Sequence, residues 1–253
     1  MAKGYYETDR AVAEYLAFHY GSRDWKLPRG LGLRAALEFP VRCVTECIES
    51  KRLPKIARAL DLGCAVGRSS FELARHCKEV IGIDYSKKFI GVATRLKKTG
   101  RIDFAMTEEG EISRKEIAKV SVGIERGRVQ FETGDAMHLR EDLGAFDVVL
   151  MANLIDRLRE PRRCLKRLPD LVKPGGQLVI TSPYTWLEEY TPRTNWLGGV
   201  SRNGKPRRTV EALKEILAAD FKLVSRRDLP FLIREHSRKF QLCVAEATTW
   251  IRL

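Results

Sequence analysis

Near the amino end of the chain, Ala11, Val12, Tyr15, Leu16 and His19 recur at helical spacing behind Thr8, a residue suited to cap a helix, so the pattern predicts an amphipathic helix. A Gly/Pro-rich break over 21–32 precedes a second predicted helix over 33–50, striped by Leu37, Val41, Val44 and Ile48 and carrying Arg42 and Glu46 one turn apart. From 58 onward the pattern changes. Short apolar runs, read as strands, lead to the acid at 61 and then cover 79–84, 128–133, 146–151, 177–181, 221–227 and 239–250; helical stretches at 67–77, 86–98, 161–171 and 209–219 separate most of them. This alternation predicts a single Rossmann-like α/β domain over 1–253 with a seven-strand, mostly parallel sheet and an N-terminal helical cap over 1–55. Two stretches exceed what a minimal doubly wound fold needs. Residues 100–126 form an insertion that alternates around Glu109-Gly110 and reads as a hairpin. Residues 182–208 form a long aromatic loop leaving the carboxyl end of a strand, where open α/β sheets bind ligands.

The chemistry centres on Arg-Ala-Leu-Asp-Leu-Gly-Cys-Ala-Val-Gly-Arg-Ser at 58–69, where an apolar strand runs into Asp61 and then Gly63 and Gly67. Gly63 permits a positive φ and close approach of a ligand to the main chain, and Gly67 lets the next helix sit near the strand. A pyrophosphate site would want G-x-G-x-x-G. Here the turn reads Asp61-x-Gly63-x-Ala65-x-Gly67, and the carboxylate would repel a phosphate but suits an ammonium group such as that of S-adenosylmethionine (SAM). A second acid, Asp84, ends the next apolar run beside Tyr85 and is placed to accept hydrogen bonds from ribose hydroxyls. A third, Asp135, followed by Ala136, is placed for an adenine edge.

This order of acid-glycine turn, acid and acid, with Val-Lys-Pro-Gly-Gly-Gln-Leu-Val-Ile at 172–180, resembles the class I SAM-dependent methyltransferases. The resemblance implies SAM as cofactor, S-adenosylhomocysteine (SAH) as product, and an antiparallel last strand. No residue need form a covalent intermediate, because methyl transfer from a sulfonium is an in-line displacement for which the protein aligns the acceptor. The Asn/Asp-Pro-Pro-Tyr motif of enzymes acting on planar amines is replaced by Ala-Asn-Leu-Ile at 152–155, and there is no Pro-Cys pair of the kind cytosine-carbon methyltransferases use.

Charge and cysteine content narrow the reading. The 253 residues carry a formal net charge of +13, but Lys and Arg are interleaved with acids along the chain. A basic RNA-binding protein, or an RNA methyltransferase on the same fold, is the alternative this raises; no clustered basic stripe supports it. The six cysteines are scattered and include no C-x-x-C pair, so no metal site or disulfide framework is expected, and Cys43 and Cys47 read as core. Glu7, Asp9 and Glu14 interrupt the first turns, and no apolar run approaches the roughly 18 residues of a membrane span, so a cytoplasmic protein without membrane partners is expected.

The remaining aromatic and acidic groups suit a small polar zwitterion: Tyr5, Tyr6, Asn153, Asp156, Tyr184, Glu188, Glu189 and Arg234 are the candidate substrate contacts. Asp156 and Glu188 or Glu189 are placed to take an ammonium or ring proton, and Arg234 a carboxylate. Trp186 and Trp196 read as loop packing, and His236 as a surface residue. The phrases at 5–21, 61–70, 153–158, 181–191 and 231–236 together resemble the methyltransferases of ovothiol biosynthesis, over nearly the whole chain. That family methylates 5-thiohistidine (4-mercaptohistidine) on the imidazole nitrogen nearer the side-chain methylene. The resemblance implies an amino-acid substrate, no nucleic acid, and Asp156, Tyr184 and Glu189 as the residues that hold or deprotonate it. Unlike fused members of that family, the chain lacks an iron-dependent sulfoxide synthase region, so a separate thiohistidine-forming synthase is the implied functional partner.

Overall fold

The computed structural model describes residues 4–21, 32–202 and 204–253. In chain order the main elements are α1 (Asp9–Tyr20), α2 (Phe39–Thr45), β1 (Arg58–Leu62), α3 (Arg68–Leu73), β2 (Glu79–Asp84), α4 (Lys87–Thr99), β3 (Arg101–Glu109), β4 (Ile112–Lys119), β5 (Val129–Thr133), β6 (Phe146–Ala152), α5 (Pro161–Leu171), β7 (Val172–Ser182), β8 (Val200–Arg202), β9 (Lys205–Arg207), α6 (Thr209–Leu217), β10 (Phe221–His236) and β11 (Lys239–Arg252). Seven strands form one sheet in the order β10-β11-β7-β6-β1-β2-β5. All neighbours are parallel except that β11 runs antiparallel to both β7 and β10. This is the Rossmann-like methyltransferase arrangement expected. The order departs to either side of β1, toward β2 and toward β6, so the carboxyl end of β1 opens onto the crevice where such sheets bind ligands.

Local signals set several boundaries. Thr8 caps α1 by accepting from the Ala11 N–H at 3.1 Å, and Ser86 caps α4 by accepting from Phe89 at 3.1 Å. The insertion is the expected hairpin, β3 paired antiparallel with β4, and α1 packs against it.

Three expectations are corrected. The helix over 33–50 is broken: a 3₁₀ turn at Leu33–Ala36 is followed by α2 only from Phe39, because Glu38 takes φ +56° and Pro40 follows at once. Arg42 and Glu46 still pair, at 2.7 Å. The Pro-Gly-Gly stretch at 174–176 lies inside the long strand β7 rather than before it. Residues 230–236, expected between two strands, extend β10 into a long hairpin with β11. Most of the predicted break over 21–32 lies outside the described residues.

The core divides into two clusters on the two faces of the sheet. One joins α1, α2, α3 and α4; the other joins α5, α6 and the segment after β7. Cys43 and Cys47 are buried in the first.

Candidate active site

At the end of β1 the chain turns sharply. Gly63 (φ +76°) donates its N–H to Ile83 O at 2.8 Å, and Ala65, also left-handed at φ +46°, donates to Asp84 Oδ2 at 2.9 Å. Gly67 (φ +83°) closes the turn against Phe131, whose ring would lie 2.5 Å from an added Cβ. The second oxygen of Asp84 accepts from the Ser86 N–H at 2.8 Å, so both oxygens are oriented and each keeps a lone pair for a ligand. Burial pushes the Asp84 carboxyl up to about 6. Asp135 is held in a similar way, Oδ1 accepting from Met137 N at 2.9 Å and Oδ2 lying 3.2 Å from His138 Nδ1. Asn153, at φ +51°, is pinned to Thr181 through its N–H and its side-chain oxygen.

Asp61 lies beneath this turn rather than on its surface. It is fully buried; Ser69 and Ser70 donate to Oδ2 at 2.7 and 2.6 Å, and Oδ1 has no partner among the described residues. Burial pushes its carboxyl up to about 6 as well. A ligand with a cationic amine and a ribose fits this set of acceptors: an orphaned buried carboxylate oxygen behind Ser69, and the oriented Asp84 carboxylate.

A cavity of about 1000 Å³ opens over the turn. On one side it is walled by Gly63, Ala65, Asp84, Tyr85, Asp135, Ala136 and Asn153. The opposite wall comes from the N-terminal segment, where Tyr5, Tyr6, Glu14, Tyr15, Phe18 and His19 face inward. The segment is strapped down beside the Asp84 corner, Ser86 Oγ donating to Tyr6 O at 2.9 Å and Lys87 N to Glu7 Oε1 at 2.9 Å. Tyr6 is the hub of an aromatic cluster, its ring centroid 6.0 Å from Tyr15, 6.0 Å from Phe89 and 6.2 Å from Tyr190. Burial holds the Tyr15 phenol well above its ordinary range. His19 is buried, its Nδ1 without a partner among the described residues, and burial with the nearby Arg68 charge pushes its imidazole down to about 3, so it is neutral at pH 7.

Most cofactor candidates and both N-terminal tyrosines therefore meet on one cavity, with Asp61 and Gly67 supporting it from beneath. Other substrate candidates are displaced. Asp156 is fully buried and off the cavity wall; its Oδ2 accepts from Arg157 at 2.9 Å and from the Thr185 N–H at 3.1 Å, so it positions Arg157 and does not face an acceptor. The Tyr184 hydroxyl donates to Glu246 at 2.7 Å, and its ring packs on the α5–α6 face. Glu188 and Glu189 project into solvent. Arg234 is carried to the far end of the β10–β11 hairpin, over the Phe240 ring and donating to His236 O at 3.2 Å. The cause is common to the loop. Trp186 and Trp196 stack at 6.4 Å and bond Thr209 and the Thr191 carbonyl, anchoring the loop's tryptophans on the α5–α6 face, while Pro183, Thr185 and Tyr190 of the same loop line the cavity.

Glu14, His19, Arg157 and Tyr190 were missed as site residues. Arg157 lies over the Tyr190 ring at 4.8 Å and, with Arg159, lines the cavity that Arg234 does not reach. His19 reads only as part of the helical stripe of α1. Glu14 with Arg10 has the spacing of an ordinary surface pair, and nothing local marks it as buried.

Residues 60–180 match a family model described as a methyltransferase domain. Among curated proteins, the chain is similar to a ubiquinone biosynthesis O-methyltransferase of Coxiella burnetii, 26% identical over 161 residues that cover 64% of this chain and 57% of that protein. The chain thus matches little more than half of that relative's length. Among solved structures, it is similar to magnesium protoporphyrin IX methyltransferase from Synechocystis PCC 6803 with bound SAM, with 15% identity, TM-score 0.53, and 97% and 98% of the two chains covered. It is also similar to the [4+2]-cyclase SpnF, with 18% identity, TM-score 0.55 and 96% of each chain covered. These structures share the fold, and the cyclase shows that the fold alone does not name the reaction.

Proposed function

We propose, on the premise that residues 60–180 form a class I methyltransferase domain whose cofactor is SAM, that this chain is a small-molecule N-methyltransferase acting on the imidazole nitrogen of 5-thiohistidine to give ovothiol. The observation that carries this reading is the identity of the acceptor wall. The segment 5–21, whose phrase resembles the ovothiol methyltransferases, is the same segment that faces Asp84 and Asp135 across the cavity. Ligand pockets run to about 300–1,000 Å³, so this one has room for a cofactor and a small acceptor together. A macromolecular acceptor has less to recommend it, since the strapped N-terminal segment covers the cavity and basic side chains such as Arg58 and Arg140 are paired with acids.

Bound SAM supplies an electrophilic methyl group, and the protein's task is alignment. Asp84 and its neighbours Ala65 and Tyr85 hold the ribose side, Asp135 and Ala136 the adenine side, and Asp61 behind Ser69 supplies negative charge for the amine. The aromatic cluster around Tyr6 excludes water and stacks a flat ring. Arg157, fixed by Asp156, gives an anionic thiolate a cationic partner. His19, neutral at pH 7, is a hydrogen-bond partner for the ring rather than a proton store. A separate thiohistidine-forming sulfoxide synthase would supply the substrate.

The test incubates protein and SAM with 5-thiohistidine or histidine and follows methylated product by mass spectrometry. A polar wall matched to sulfur leaves groups unpaired when histidine binds, so discrimination on the order of 10⁴ is expected. Equal rates would refute sulfur recognition. The name of the curated relative favours a second reading, a hydroxyl acceptor, and a panel of phenols in the same assay decides between the two.

A further inference from the structure

Glu14 is a buried carboxylate on the cavity wall that the cofactor half does not use. Only 4% of it is exposed, and α1 presents it to the cavity beside Tyr15 and Phe18. Tyr5 donates its hydroxyl to Oε2, and Arg10 donates Nε to Oε1 at 2.8 Å. A carboxylate offers about four acceptor positions, so acceptor capacity remains for a ligand. Arg10 is two-thirds exposed and turns also toward Glu235 at 3.6 Å, so its charge lies at the solvent side of the wall and is shared between two acids. Burial and the Glu14 charge hold the Tyr5 phenol far above its ordinary range, which keeps Tyr5 a donor and fixes the carboxylate's orientation. Tyr5, Tyr15 and Phe18 add aromatic faces around it, and such faces attract cations. Gln241 of β11 closes the wall, its amide engaged by Glu235 at 2.7 Å.

A desolvated anion among aromatic faces on the acceptor wall selects a cation. We propose that Glu14, oriented by Tyr5, anchors the primary ammonium group of the acceptor and makes the N-terminal helix a determinant of specificity for amine-bearing substrates. The assignment rests on the amino-acid acceptor proposed above and adds which residue reads the amine.

The test is a two-by-two comparison in the full chain. Wild type and Glu14→Gln, each saturated with SAH, are titrated calorimetrically with 5-thiohistidine and with its analogue bearing hydrogen in place of the amino group; histidine and imidazolepropionate form a second pair. A charge-assisted hydrogen bond predicts that wild type prefers the amine by about 10–100-fold, and that Glu14→Gln reduces the preference to about threefold or less while SAH affinity stays within about twofold. In turnover the same change should fall on KM and leave kcat within about threefold. Full amine preference in folded Glu14→Gln, or no amine preference in wild type, overturns the proposal. If Glu14→Gln fails to bind SAH, Tyr5→Phe is scored instead; it must lower the preference at least about threefold, and an unchanged preference overturns the proposal. The two readings fail separately. Methylation of 5-thiohistidine without Glu14 dependence removes the anchor alone, whereas Glu14-dependent amine binding without methylated product removes the proposed reaction alone.

Discussion

Replacing Asp61 by Asn should change the stability of the ligand-free protein in a pH-dependent way. The Asp61 carboxylate is fully buried, takes two serine hydrogen bonds on one oxygen and none on the other, and has no cation beside it among the described residues. Burial raises its pKa from 3.8 to about 6. A raised folded-state pKa means that the stabilising contribution is fully present below the unfolded value and is lost as pH rises through about 6. At about 1.4 kcal/mol per unit, ionisation costs the folded protein ~3 kcal/mol at neutrality, and ~2 kcal/mol of that falls between pH 4.5 and 7.5. Asn cannot ionise; its buried NH₂ carries a constant penalty of about 1–3 kcal/mol. Whatever the sign at low pH, the stability difference should therefore move ~2 kcal/mol in favour of Asn between pH 4.5 and 7.5. Urea unfolding of both proteins at the two pH values reads this directly; Asp84, a like charge that raises the Asp61 pKa, titrates in both, and losing the Asp61 charge eases its ionisation, which moves the difference in the same direction. A pH-independent difference, or one that moves toward wild type, would refute the picture of an uncompensated buried charge. SAH should bind Asp61→Asn at least about tenfold more weakly, since the same charge is held there for a ligand amine.

Three further outcomes are expected. Gly67→Ala forces a Cβ to 2.5 Å from Phe131 at φ +83°, so left-handed strain and overpacking should together cost about 2–5 kcal/mol in urea unfolding, whereas Gly110→Ala, at φ +54° with nothing within 4 Å, should cost about 1–2 kcal/mol; equal losses would contradict the close approach. SAH affinity should weaken as pH falls below about 6, where Asp61 and Asp84 take up protons, and Asp84→Asn should flatten that dependence in calorimetry. Tyr184→Phe removes one hydrogen bond to Glu246, which keeps its partner Arg226, so it should cost about 1 kcal/mol and leave turnover within about twofold; a large loss of turnover would return the Tyr184 side chain to the cavity.

Residue pattern alone determined the features that short stretches decide. The glycine turn, Asp84 at the end of β2, the cap Thr8, the hairpin around Glu109-Gly110 and the seven-strand count were all legible, because turn chemistry, capping and hydrophobic period act within a few residues. The cofactor corner was legible for the same reason, being built almost wholly at the ends of β1, β2, β5 and β6. The acceptor wall was not. Asp156 and Tyr184 stand at strand ends, where ligands bind, but whether such a side chain faces the cavity or the interior depends on which remote segment covers each face of the sheet. The 182–208 loop buried its tryptophans on the α5–α6 face and carried its acids into solvent, while α1, supported by the β3–β4 hairpin and β10, covered the other face and turned Glu14 inward. Burial against segments distant along the chain decided those orientations, and no pattern within a few residues of Glu14, Asp156 or Tyr184 encodes that competition.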